Sequence, residues 1–139
     1  MQEKNKEGFS MQNKSGIKHI EFWVSDLSAS LKFYEQLFVL IGWKKVDVNA
    51  FSDGITKIYF TERVAALQPS LGPRHICFLA DSIEMVNVVG ELLKTQHVSI
   101  IRGPLESWYK DRSSYTVDFK DPDGYILEVA TRSMPVHEE

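Results

Sequence analysis

A repeated tetrapeptide constrains the fold of this chain more than any other feature of its sequence. The residues His19-Ile20-Glu21-Phe22 return as His75-Ile76-Cys77-Phe78, at an offset of 56 residues. In each copy an aspartate and an apolar periodicity of three and four residues follow, which predicts a strand and then an amphipathic helix. One copy alone is too short to bury its helix and sheet faces well. The repeat therefore predicts two modules that lie side by side and share one core.

Each module is predicted to contain a strand, a helix and two or three further antiparallel strands. The first helix begins near Asp26 and ends at Gly42, and Asp81-Ser82 precedes the second. The segment 102–112 is rich in aromatic and charged residues, which favours a loop that covers a substrate; a solvated loop is the alternative. The predicted class is α+β, a curved mixed sheet that forms a cup with helices outside.

The domain is predicted to span residues 17–131. Its modules are 17–67 and 74–131, and the connector between them is dense in turn-forming residues. Residues 1–16 are polar and are predicted to be a flexible N-terminal arm, and residues 132–139 are predicted to be a C-terminal tail.

Composition and charge exclude several classes of protein. A net charge of −3 gives no general attraction for nucleic acid or for anionic membranes, so neither is an expected partner. No apolar run approaches the roughly 20 residues of a membrane span, and the N-terminus lacks the apolar region of a secretory signal. The single cysteine, Cys77, cannot form an intramolecular disulfide. A cytoplasmic protein is expected.

Strand alternation places three residues of metal-ligand type on one predicted surface. His19, His75 and Glu128 each lie opposite the apolar strand residues that pack against a helix. Two imidazoles and one carboxylate form a ligand set that leaves open positions on a metal for substrate or water. The set predicts a divalent ion, Zn²⁺, Ni²⁺, Mn²⁺ or Fe²⁺. A salt-bridged or solvent-facing cleft without metal is the alternative.

Aromatic and basic side chains are candidates for the wall of the same cup. The predicted substrate-binding residues are Trp23, Tyr59, Trp108, Tyr109, Lys110 and Arg112. No catalytic residue is assigned, and Tyr59 and Tyr115 are the candidates. Because aromatic rings stack on flat ligands and cations pair with anions, the expected substrate is a small oxygenated molecule, anionic or aromatic.

These motifs resemble the vicinal oxygen chelate superfamily, which groups glyoxalase I, bleomycin-resistance proteins, fosfomycin-resistance enzymes and extradiol dioxygenases. The resemblance is carried by residues 19–27, 30–35 and 75–78 and by the ending Phe119-Lys120-Asp121-Pro122-Asp123-Gly124-Tyr125-Ile126-Leu127-Glu128. It implies paired βαβββ modules, and it puts His19, His75 and Glu128 at the metal-ligand positions. It also implies a homodimer, since relatives of this length pair modules across chains.

One departure from the family pattern bears on the predicted activity. Glyoxalase I takes a fourth ligand, usually glutamate, from the last strand of its first module. Tyr59 or Ile58 occupies the nearest equivalent position here, and strand parity favours Tyr59. The resemblance therefore implies a metal-dependent enzyme of lyase, isomerase or thiol-transfer type rather than glyoxalase I itself. The alternative function is a metal-free binding protein that sequesters a small molecule, as bleomycin-resistance proteins do.

Overall fold

The computed structural model describes residues 16–63 and 75–135, so the predicted connector and nearly all of the N-terminal arm lie outside the described residues. The first module contains β1 (His19–Val24), α1 (Leu27–Leu40), β2 (Lys44–Asp47), β3 (Ala50–Ser52) and β4 (Lys57–Glu62). The second contains β5 (Ile76–Leu79), α2 (Ile83–Thr95), β6 (Ile100–Tyr109), β7 (Arg112–Lys120), β8 (Ile126–Ala130) and β9 (Met134–Pro135). Strand β9 lies within the predicted C-terminal tail, and the rest of that tail, from residue 136, is outside the described residues.

Both helices begin where the sequence indicates. The Asp26 carboxylate accepts the backbone N–H of Ala29 at 3.0 Å, and the Ser82 hydroxyl accepts that of Met85 at 3.1 Å. These side chains satisfy first-turn donors that have no partner within the helix. Gly42 follows α1 with φ 93°, a left-handed conformation that favours glycine. Within the described ranges, neither helix combines the length and the apolar character needed to cross a membrane.

The α+β class is confirmed, and each module forms a mixed sheet of its own. The strand order is β1-β4-β3-β2 in the first sheet and β5-β8-β7-β6 in the second, with β9 added beside β7. Strands β1 and β4 pair in parallel, as do β5 and β8, so the two sheets repeat one topology. In the described part of one chain, no strand of the first sheet pairs with a strand of the second, so the modules do not join into a single continuous sheet.

One hydrophobic core joins the modules on the helix side of both sheets. Phe33 and Phe38 of α1 meet Phe119 and Phe78 of the second module, with ring centroids 6.3 and 5.3 Å apart. Because the helix sides are buried against each other, the opposite faces of both sheets are left on the outside of the molecule.

The turn between β7 and β8 fastens the second module to the first. The Tyr34 phenol donates to the buried Asp121 carboxylate at 2.6 Å, and Asp121 also accepts the backbone N–H groups of Asp123 and Tyr125. Asp123 accepts the backbone N–H of Ser25 at 3.1 Å. The Asp-Pro-Asp-Gly motif therefore has a structural role between the modules.

The segment 102–112 is a strand hairpin and not the covering loop that its composition favoured. Strand β6 pairs with β7 as far as Tyr109 opposite Arg112, and the turn between them is Lys110-Asp111. One of the two register shifts in β6 lies between Arg102 and Leu105 and accommodates Gly103 and Pro104, residue types that normally interrupt a strand.

Candidate metal centre

His75 and Glu128 lie side by side on the outer face of the second sheet, which we name its ligand face. Nε2 of His75 is 3.0 Å from Oε1 of Glu128. Glu128 pairs directly with Cys77 of β5, and His75 precedes that residue by two positions, so all three share one face. Two ligand atoms about 2.1 Å from an ion, at right angles to each other, lie about 3 Å apart. The distance is that of a hydrogen-bonded imidazole and carboxylate, and the same spacing suits two neighbouring positions on a divalent metal.

Thr116 holds the Glu128 carboxylate from the adjacent strand. Its buried hydroxyl donates to Oε2 of Glu128 at 2.6 Å, while Oε1 points to His75. Metal-ligating carboxylates are commonly fixed by such outer hydrogen bonds. Thr116 was not predicted as a site residue, although the alternation of β7 contains the signal, since Thr116 pairs with Ala130 on the same face as Glu128.

His19 lies on the other sheet, and one chain does not bring it to this pair. It is exposed on β1, with its ring centroid 5.6 Å from that of Tyr59 on β4. Across residues 16–63 and 75–135, no three His, Cys, Asp or Glu side chains form a group that could hold a metal ion. A single chain therefore does not bring His19 together with His75 and Glu128, because the two sheets meet through their helix sides.

The face around His19, the ligand face of the first sheet, carries the two aromatic residues expected there. Tyr59 is half-buried, and the ammonium of Lys57 lies 5.7 Å from its ring centroid. Trp23 is 41% exposed, and the guanidinium of Arg63 lies over its ring at 5.8 Å. Both contacts are within the range of cation–π attraction. The face thus combines an imidazole with two aromatic rings and two cations.

Tyr115 and Trp108 lie on the helix side of the second sheet, opposite the face that carries His75 and Glu128. The Tyr115 hydroxyl donates to Oδ1 of Asn87 on α2 at 2.9 Å. Trp108 is paired with Ser113, which has the same strand parity as Tyr115, and it is 56% exposed. Trp108 belongs to the segment expected to be a loop, where no alternation was predicted, whereas Tyr115 lies beyond that segment.

Lys110, Arg112 and Tyr109 lie at the end of the β6–β7 hairpin. Lys110 occupies the turn with φ 58°, and the backbone of Tyr109 pairs with that of Arg112. Nη2 of Arg112 donates to the Ser133 carbonyl at 2.8 Å, which ties β7 to the segment before β9. Arg112 is four residues along β7 from Thr116, about 13 Å away, and so it lies at the periphery of the ligand face.

Two charged residues that the sequence analysis missed extend the ligand face of the second sheet. Asp118 of β7 pairs directly with Glu128, and Arg102 of β6 pairs with Asp118. Nε of Arg102 donates to Oδ2 of Asp118 at 3.2 Å, and Nη1 donates to the Ser107 hydroxyl at 3.3 Å. The alternation of β7 predicts that Asp118 shares the face of Thr116. Arg102 could not be placed in this way, because it belongs to the segment expected to be a loop.

Cys77 shares this face but is not an activated nucleophile. Partial burial of the thiol raises the pKa of Cys77 to about 12, and the negative charges of Glu128 and Asp118 add to the effect. A thiol with such a pKa remains protonated, and therefore unreactive, near neutral pH.

A groove of about 910 Å³ lies away from both ligand faces. It runs between α1, the segment that follows α2 and the β7–β8 turn, and its lining includes Lys32, Phe33, His97 and Asp123. None of the candidate metal ligands or substrate-binding residues lines it. The groove therefore does not coincide with the candidate metal centre.

Comparison with known proteins identifies the class to which this fold and these residues belong. The model of the Glyoxalase/Bleomycin resistance protein/Dioxygenase superfamily matches residues 16–129. The chain belongs to this superfamily, which confirms the resemblance drawn from the motifs.

Individual relatives agree with that assignment. The chain is 29% identical over 121 residues to Virulence protein STM3117 of Salmonella typhimurium, covering 82% of each chain. It is 32% identical over 122 residues to Metallothiol transferase FosB of Bacillus licheniformis, covering 86% of this chain and 77% of that protein. A structure from Bacillus halodurans, provisionally described as a glyoxalase, matches with a TM-score of 0.72 at 21% identity, covering 88% of this chain and 99% of that one. That structural likeness confirms the fold.

Proposed function

We propose that this chain is a metal-dependent enzyme whose metal site is completed by a second copy of the chain. The observation that carries the proposal is the contact of His75 with Glu128 on an outer face, together with an exposed His19 on the other sheet. A two-fold axis that brings the ligand face of one chain's first sheet against that of the other's second sheet forms two identical sites. Two imidazoles and a carboxylate suit Zn²⁺, Ni²⁺, Mn²⁺ or Fe²⁺.

The proposed reaction is transfer of a thiol to a small oxygenated substrate. A relative with 32% identity is named a metallothiol transferase, which supports this type. A proton abstraction next to a carbonyl needs a positioned base, and at the glyoxalase I ligand position this chain has the phenol of Tyr59 instead of a carboxylate. The metal, when bound, polarises the substrate oxygen that accepts negative charge.

The chain's own residues divide the work of holding metal and substrate. His75, Glu128 and His19 of the second copy hold the ion, and Thr116 fixes the carboxylate. Among the described residues the Tyr59 hydroxyl has no hydrogen-bond partner, so it is free to donate to a substrate oxygen. Trp23, on the same face, offers an aromatic surface against which the body of the substrate stacks.

Complementation between two defective variants tests the shared site. His19→Ala and His75→Ala, carrying different affinity tags, are co-expressed and their heterodimer is isolated through both tags. One site of that heterodimer joins an intact His19 to an intact His75 and Glu128, so we expect about half of the wild-type metal content. Elemental analysis after dialysis measures it.

The control heterodimer combines His75→Ala with Glu128→Gln. Both lesions lie in the same module, so neither of its sites is intact and metal content should stay near that of each variant alone. Equal metal in the two heterodimers contradicts a site shared between copies. Wild-type protein that binds ligands equally well with and without metal supports sequestration instead.

A further inference from the structure

We propose that Arg102 binds an anionic group of the substrate at a set distance from the metal. The inference rests on the proposed function and specifies its substrate class. The substrate is a small molecule that chelates the ion through oxygen at one end and carries a carboxylate or phosphate at the other.

The sheet register sets the distance between the two binding points. Arg102, Asp118 and Glu128 are directly paired across β6, β7 and β8, so their side chains share the ligand face. Neighbouring strands are about 4.8 Å apart, which separates the backbones at Arg102 and Glu128 by about 10 Å. A ligand held at His75 and Glu128 must extend across the intervening strand to reach the guanidinium.

Two contacts orient the guanidinium and leave it able to bind. Its Nε donates to Asp118 and its Nη1 to Ser107. A guanidinium has five N–H groups, and no other acceptor for it occurs among the residues that the structure describes, so three donors are available. The Arg102 side chain is 44% exposed, so it is open to a ligand while its orientation is held. Its planar fork matches the oxygens of a carboxylate or phosphate.

Most charges beside Arg102 on the ligand face are negative, so an anionic group of the substrate requires the guanidinium for binding. The row runs from Cys77 through Glu128 and Asp118 to Arg102, and Arg102 is its only cation. Without Arg102, the Asp118 carboxylate repels an anionic substrate from the side of the site opposite His75. Arg102 offsets that charge and presents its remaining N–H groups to the ligand.

A series of hydroxamates measures this role, because a hydroxamate chelates a divalent ion through two oxygens. Each probe carries a terminal carboxylate, or a terminal amide of the same shape, on a chain of two, four or six methylene groups. Calorimetry with the metal-loaded dimer gives the affinity of each. We expect the carboxylate to bind about tenfold more tightly than the amide on the longer chains only. Arg102→Gln should abolish this preference while the amide probes and the metal bind as before.

Two further variants test whether the carboxylate preference comes from Arg102 itself or from positive charge anywhere on the protein. Lys94→Gln removes an exposed cation of α2, on the other side of the second sheet, and should keep the carboxylate preference, and Arg102→Lys should keep part of it. A preference that survives Arg102→Gln, or one that Lys94→Gln removes, overturns the assignment and leaves the ion pair with Asp118 a structural contact. Direct metal titration comes first, because a wild type that binds no metal overturns the proposed function and this inference with it.

Discussion

The contact of Tyr34 with Asp121 shows how single residues determine the arrangement of the modules. The carboxylate is buried among two backbone donors and one phenol from α1 of the other module. Burial raises the pKa of Asp121 even though these hydrogen bonds oppose the shift. Burial and the nearby carboxylate also raise the pKa of Tyr34, so the phenol stays a donor. The pair therefore links the modules through a charge-assisted bond with little access to water.

Tyr34→Phe should lower the free energy of unfolding by about 1–3 kcal/mol, because a buried carboxylate loses one donor and no cavity forms. The matched control is Tyr125→Phe, which removes a hydrogen bond from an exposed hydroxyl to the Trp23 carbonyl. That change should cost less than about 1 kcal/mol. Urea denaturation measures both, and equal losses would contradict a special role for the buried pair.

Thr116→Val should weaken metal binding by roughly 10–100-fold, because the Glu128 carboxylate loses the hydrogen bond that fixes it. The shape of the side chain is kept, so the effect on the fold should be smaller than the effect on the metal. Thr61→Val is the matched control, since the Thr61 hydroxyl donates to Glu21, a carboxylate on the first sheet that is not a proposed ligand. Competition with a chelator gives the affinities. A comparable loss of metal affinity in both variants would contradict the proposed role of Thr116.

At the scale of elements, the close approach of α2 to β6 depends on one glycine. A Cβ atom added to Gly90 would lie 2.7 Å from Cγ of Pro104. Glycine inside a helix costs about 1 kcal/mol relative to alanine, so helix propensity alone argues against it. The Pro104 ring packs in the space that a side chain would fill. This contact explains why α2 contains a glycine and β6 a proline, although each residue type is unfavourable in its own element.

Gly90→Ala should therefore reduce the free energy of unfolding, by about 1–3 kcal/mol, although alanine favours helices. The ring of Pro104 is stiff and part of a paired strand, so it cannot move aside at little cost. Val88→Ala, at an exposed position of the same helix, is the control and should change stability little. Thermal unfolding compares the two. Stabilisation by Gly90→Ala would mean that helix and strand separate easily.

At the scale of the whole molecule, a single chain leaves both ligand faces uncovered. Trp23 on the first and Leu79 on the second are 41% and 46% exposed, although both are large apolar residues. Other large apolar residues, Val39 and Ile83 among them, are exposed as well, so the proposed interface rests on the division of His19 and the His75–Glu128 pair between the two faces. The same faces carry His19, His75 and Glu128, so the proposed association and the proposed metal binding involve one surface.

Light scattering of the wild type at micromolar concentration should give twice the 15.9 kDa of one chain. Leu79→Asp should shift the mass towards that of a monomer, because it places a charge on the proposed interface. Val39→Asp, on an exposed position of α1, should leave the dimer intact. A monomeric wild type, or equal effects of the two substitutions, is the outcome that excludes this interface.

Local patterns predicted much of the secondary structure and failed where pairing is non-local. The alternation of residues 19–24 and the periodicity of residues 27–41 identify β1 and α1, since side-chain direction repeats every few residues. The short strand β3 was not predicted, and β6 was read as a loop after residue 101. Residues 103 and 104 disfavour a strand locally, and β6 extends through them because it pairs with β7.

The sequence by itself determined which strand face carries each of His19, His75 and Glu128, because alternation depends only on neighbouring residues. It also determined that two similar modules exist, since the tetrapeptide repeat can be recognised in the amino-acid sequence. Only the tertiary structure decided how those modules face each other. The modules pack through their helix sides, where Phe33 meets Phe119, so the ligand faces point outward and only His75 and Glu128 meet. The separation of two sheets depends on packing between residues far apart in the chain, and no local pattern records it.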